Sequence, residues 1–198
     1  HQDRELITVP DKKDDKPDSL DRVHGDRSLA RRSGFIARRA RELAQKAREL
    51  TLAGEIEVVF PDKNLEAVVR KTLEKPKGPL TRGDLNKMTV LEVSASNIKD
   101  LRGLEQAINL EVLSLGGHGD SVPTVQGEIR NLNPLTPLTN LKELYLRDNQ
   151  ISDITPLSGM LKLRIFTARL NRIVDLTPLK ATTTLFQVTL GQNQITTT

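Results

Sequence analysis

One spacing governs the C-terminal half of this chain. Counting from Leu141, apolar residues fall at offsets +3, +5, +10, +13, +16, +19 and +22: Leu144, Leu146, Ile151, Ile154, Leu157, Met160 and Leu163. The same offsets from Leu163 give Phe166, Ala168, Ile173, Leu176, Leu179, Thr182 and Leu185. From Met88 they give Leu91, Val93, Ile98, Leu101, Leu104, Ala107 and Leu110, and from Leu185 they give Val188, Leu190 and Ile195. The period is 22 residues in each case, except that Leu110 and Leu141 stand 31 apart. Nine residues inserted after Leu115, near GGHGDSVPTVQGE, bring Ile129, Leu132, Leu135 and Leu138 back into phase. Pro134, Pro156 and Pro178 would break a helix laid through this pattern.

The pattern predicts a solenoid. Leu-x-x-Leu-x-Leu starts a short strand with alternate residues facing inward. No coil can bury its leucines alone, so stacked neighbours must share one continuous core. Asn149, Asn171 and Asn193 stand at offset +8, where the chain leaves the strand and a buried amide can satisfy backbone groups that no ladder reaches. Each coil returns through DITPL or DLTPL, with Asp153 and Asp175 placed to cap a short turn and Pro156 and Pro178 placed at its start. Twenty-two residues leave little room for a return helix, so 3₁₀ turns and extended chain are expected.

LKELYLRDNQISDITPL, residues 141–157, resembles the leucine-rich repeats of bacterial internalins. The stretch from FPDKNLEAVV to INLEVLSL resembles the helical cap and first coils of such surface proteins, and the whole likeness covers roughly 59–198. It implies an α/β repeat solenoid: a right-handed coil with a parallel concave β-sheet, 3₁₀ and extended chain on the convex side, and a helical N-terminal cap. It also implies an extracellular or bacterial cell-surface location and a role in binding another protein. Ser96 and His118 stand where the pattern has Asn, which departs from a full asparagine ladder in the first two coils.

The organisation follows. Residues 1–26 are densely charged, with five basic and eight acidic groups, and read as a flexible linker. Residues 27–54 read as a basic amphipathic helix, with eight Lys/Arg against two Glu between 27 and 50. Residues 55–87 form the helical cap of the solenoid, with Leu65, Val68, Val69 and Leu73 on one side of its main helix. Residues 88–198 hold about five coils, the last incomplete, with the insertion near 116–128. Because the last coil is unfinished, the expectation is a fragment of a longer protein. For the basic helix three readings stand open: a solvated helix packed on its neighbour, a nucleic-acid contact that lacks aromatic stacking partners, and a membrane-surface contact through Arg31, Arg32, Arg38, Arg39 and Arg41.

No catalytic role is assigned to any residue, and no cofactor or metal is expected. There is no cysteine, so thiolate chemistry is excluded, and the three histidines, His1, His24 and His118, are far apart. His118, Asp120 and Ser121 are close neighbours in a Gly-flanked loop, which would not hold triad geometry. The candidate site is instead the outward row of the strands, at offsets +2, +4, +6 and +7. It comprises Glu143, Tyr145, Arg147, Asp148, Ile165, Thr167, Arg169 and Gln187, around the chain's single tyrosine. The expected function is non-enzymatic recognition of a protein ligand on this concave face. The alternatives are a structural spacer of a larger protein and a membrane-surface adaptor through 27–50. Oligomeric state is not legible.

Overall fold

A computed structural model describes residues 19–93, 97–116 and 127–196, the first sixteen of these as backbone alone. The chain divides after Glu49 into two units. In the first, helix α1 (Ser19–Gly54) begins eight residues earlier than the segment expected to be helical and takes in the end of the stretch read as linker. Residues 1–18, the rest of that linker, lie outside the described residues. From Phe35 to Leu52 every side chain of α1 is exposed, the Ala/Leu face as much as the basic one.

The second unit is the capped solenoid. Five strands, β1 (Val90–Glu92), β2 (Val112–Ser114), β3 (Glu143–Tyr145), β4 (Ile165–Thr167) and β5 (Gln187–Thr189), form one parallel sheet in chain order. Val90, Val112, Glu143, Ile165 and Gln187 lie in one row across it, and Glu92, Ser114, Tyr145, Thr167 and Thr189 in another. Each of the first four coils returns through a single 3₁₀ turn: Leu104–Gln106, Asn133–Leu135, Thr155–Leu157 and Thr177–Leu179. The phased apolar residues of the first three coils are buried almost without exception, including Ile129, Leu132, Leu135 and Leu138 beyond the insertion. Two glycines frame that insertion. A Cβ on Gly116 would collide with the Arg147 backbone, and one on Gly127 with the Asn149 side chain and the Asp148 carbonyl.

The asparagines build the expected ladder. The Asn171 amide donates to the carbonyls of Leu146 (2.8 Å) and Ala168 (3.1 Å), and its oxygen accepts from the Ile151 N–H at 3.0 Å. Asn149 repeats this with Leu115, Leu146 and Ile129, and Asn193 with Ala168, Leu190 and Ile173. Each amide therefore ties its own coil to the one before. Ser96 and His118, the two departures from the ladder, lie outside the described residues. Asp153 and Asp175 each accept from the N–H two residues on, at 2.8 Å, so they hold the approach to the 3₁₀ turn rather than cap the turn itself.

A second polar ladder was not foreseen. One residue before each coil's first leucine, Asn109 donates to the Asn86 carbonyl, Asn140 to that of Ile108, and Thr184 to those of Leu161 and Leu163. Lys162 joins it by donating to the Asn140 side chain at 2.7 Å.

The cap is joined to the first coil by one carboxylate. Asp62 caps helix α2 (Lys63–Thr72) by accepting from the N–H groups of Asn64 and Leu65. Its other oxygen accepts from Lys99 and Asp100 of the first coil, at 2.8 and 3.2 Å. Phe60, buried beneath, lies so close to Gly103 (φ 103°) that a Cβ there would strike its ring. Thr81 and Asp84 form a reciprocal capping box on the short helix α3 (Arg82–Leu85), and Lys75 reaches Asp84 at 2.6 Å.

Candidate functional site

Alternation along β3 places Leu144 in the core and turns Glu143 and Tyr145 to the same outer face. The Tyr145 hydroxyl donates to Glu143 Oε2 at 2.9 Å. Partial burial, that hydrogen bond and the charges of Glu143 and Glu92 push the phenol up to about 12. Tyr145 thus stays a protonated, oriented ring between Ser114 on β2 and Thr167 on β4. Ile165 stands opposite Glu143, and Gln187 opposite Ile165. These five expected site residues, Glu143, Tyr145, Ile165, Thr167 and Gln187, share one contiguous face.

The remaining three lie past the strand ends. Arg147, at offset +6, is buried, at 4% exposure. Asp148 has φ 58°, and its counterparts Leu170 and Gln192 have φ 61° and 60°. The +7 position is therefore a left-handed turn that swings the following asparagine inward. Arg169 is half-buried and donates through Nε to Gln192 at 3.0 Å. The Asp148 N–H donates to the Arg169 carbonyl at 2.9 Å, which sets Asp148 and Arg169 side by side at the rim.

The Glu143–Tyr145 pair was not anticipated, although residues two apart on one strand share a face. Ser114, next to Tyr145 in its row, is buried and donates to the Gly116 carbonyl at 2.9 Å. His118, Asp120 and Ser121 lie outside the described residues. Among the described residues no group of three or more His, Cys, Asp or Glu side chains converges.

A family profile for leucine-rich repeats, two copies long, matches residues 139–181. An internalin, InlF, from Listeria monocytogenes matches with TM-score 0.58 and 25% identity over 70% of this chain and 46% of that one. The chain carries leucine-rich repeats and is similar in fold to a bacterial internalin. The functional domain of InlJ, also from Listeria monocytogenes, shares the fold at TM-score 0.60 and 22% identity, over 71% of this chain and 30% of that one. A leucine-rich-repeat protein of Leptospira interrogans does so at 0.50 and 23%, over 58% of this chain and 28% of that one. The chain spans less than half the length of these similar proteins. No curated protein matches it. The InlJ domain includes a cysteine ladder, whereas the present chain contains no cysteine.

Proposed function

We propose that this chain is a non-enzymatic recognition module whose sheet face, at Glu143, Tyr145, Ile165, Thr167 and Gln187, docks a protein partner, with Asp148 and Arg169 at the rim. The observation that carries the reading is the tethered Tyr145. An aromatic ring already fixed by Glu143 and flanked by an aliphatic residue and hydroxyls loses little freedom on binding. Tyrosine in such a setting is the residue type enriched at interface hot spots. Similarity to internalins supports an extracellular or bacterial cell-surface location.

The test is a comparative pull-down read by mass spectrometry, with the intact chain and a Tyr145→Ala/Ile165→Glu variant of unchanged circular dichroism. Arg147 is left intact, because reversing a buried cation would threaten the fold itself. A protein retained by the first bait and lost by the second supports recognition on this face. Identical protein sets return the face to an inert surface and favour the spacer reading.

A further inference from the structure

The solenoid face leaves α1 without a task, yet its charges are sorted in a specific way. Down the axis, at about 100° per residue, Ile36, Ala40, Leu43, Ala44 and Ala47 share one arc. Arg39 and Lys46 border that arc on one side, and Arg41 and Arg48 on the other. Glu42 and Glu49 fall on the opposite side of the helix. All of these side chains are exposed, Ile36 at 67% and Leu43 at 56%. Glu42 draws Arg38 at 3.1 Å and Arg39 at 3.5 Å, so Arg38 belongs to the acidic back of the helix. Arg41, Lys46 and Arg48 make no ion pair among the described residues.

We propose that α1 lies on an anionic lipid surface, with Ile36 and Leu43 entering the acyl boundary and the two basic rims reaching the headgroups. Four features select this occupant. Basic residues on both borders can bend their charged ends towards headgroups while their stems cover apolar surface. The acidic pair stands as far from that surface as the helix allows. A second copy of α1 would bring basic rim against basic rim. The arc is also wider than the narrow stripe that serves a single partner helix. Among the described residues no helix is long and apolar enough to cross a membrane, so the contact is with the surface plane. Phe35 falls outside the arc, and the side chains of Arg31 and Arg32 lie outside the described residues; neither the arc nor the rims need them.

The experiment is co-sedimentation of the full chain with phosphatidylcholine vesicles, with and without phosphatidylglycerol, at low and high salt. Binding is expected only with the anionic lipid and should weaken with salt. Arg41→Glu/Arg48→Glu should weaken it by at least about tenfold, as should Leu43→Asp, while Glu49→Lys on the back should retain it. The chain has no tryptophan, so a Leu43→Trp variant reports its own environment, and a blue shift on adding anionic vesicles is expected. Failure to bind anionic vesicles at low salt overturns the proposal and turns the face over to an acidic protein partner. Equal binding to neutral vesicles, full binding by Leu43→Asp, or an unshifted Leu43→Trp spectrum overturns it too.

Discussion

The third and fifth coils carry the same spacing and meet different fates. In the third coil, Leu144, Leu146 and Ile151 are fully buried; in the fifth, Val188 is 46% and Ile195 37% exposed. β3 has a strand on each side, whereas β5 pairs only with β4. A leucine pattern specifies which residues face inward, but neighbouring coils decide how much that orientation is worth. The most direct way to break the comparison is a matched pair of truncations followed by urea unfolding. Leu144→Ala should cost about 2–5 kcal/mol, and Val188→Ala less than about 1 kcal/mol. Equal losses would mean that the fifth coil is as tightly held as the third.

The asparagine ladder sharpens the same contrast. Asn171 is buried and bonded to carbonyls of two coils, and Leu146 receives both Asn149 and Asn171. Asn193 makes similar bonds in a half-buried setting. Asn171→Ala should therefore cost about 2–3 kcal/mol, because it strands buried carbonyls and the Ile151 N–H. Asn193→Ala should cost less, about 1 kcal/mol, since water can replace its amide. Thermal unfolding of the two variants reads the difference directly.

The N-terminal edge is managed in another way, by a cap held at Asp62. Burial alone would raise this carboxyl, but the N–H groups of Lys99, Leu65, Asp100 and Asn64 outweigh it and hold it below its ordinary 3.8. The folded pKa is depressed, so the stabilisation is fully present above the unfolded value and is lost as pH falls through the folded one. Asp62→Asn, whose amide nitrogen cannot accept from the Lys99 and Asp100 N–H groups, should lower stability by about 1 kcal/mol at neutral pH. It should also flatten the decline below the ordinary Asp range, which a series of acid unfolding curves measures. A variant with the wild-type acid slope would show that Asp62 contributes nothing to joining cap and coil.

Fold and site differed in how far the sequence revealed them. Period, insertion phase, inward asparagines and 3₁₀ returns were legible because each follows from burial and backbone satisfaction, which act on local pattern. The second ladder through Asn109, Asn140 and Thr184 was not legible, because its acceptors are carbonyls of other coils and leave no spacing signal beyond the repeat itself. The site was legible only while the strand lasted. Glu143, Tyr145, Ile165, Thr167 and Gln187 obey alternation, but Asp148 lies in the left-handed region and Arg147 beside it is buried. At Asp148 an offset no longer predicts a direction, and at Arg147 it does not predict exposure. Helix α1 was expected to start at Arg27 because residues 1–26 are densely charged, poor in apolar residues and interrupted by Pro10 and Pro17; its backbone continues back to Ser19.

The smallest effect at neutral pH concerns the face itself, where β3 carries a tethered ring and the exposed β5 row carries Gln187 and Thr189. Tyr145 is the only tyrosine, and there is no tryptophan, so the ultraviolet titration of the phenol reports one residue without deconvolution. Its pKa, raised from 10.0 to about 12, means that the folded state holds the proton more tightly than the unfolded one. The associated stabilisation is fully present below pH 10 and is lost as pH rises towards 12. Glu143→Gln removes a charge and weakens the acceptor while leaving the core contacts of Leu144 intact. It should bring the titration midpoint back towards 10, with little change in stability at neutral pH. A midpoint already near 10 in the unaltered chain would mean that neither the burial of Tyr145 nor its bond to Glu143 is kept in solution. The ring would then pay an ordering cost on binding, and β3 would lose its distinction from β5 as a preformed recognition surface.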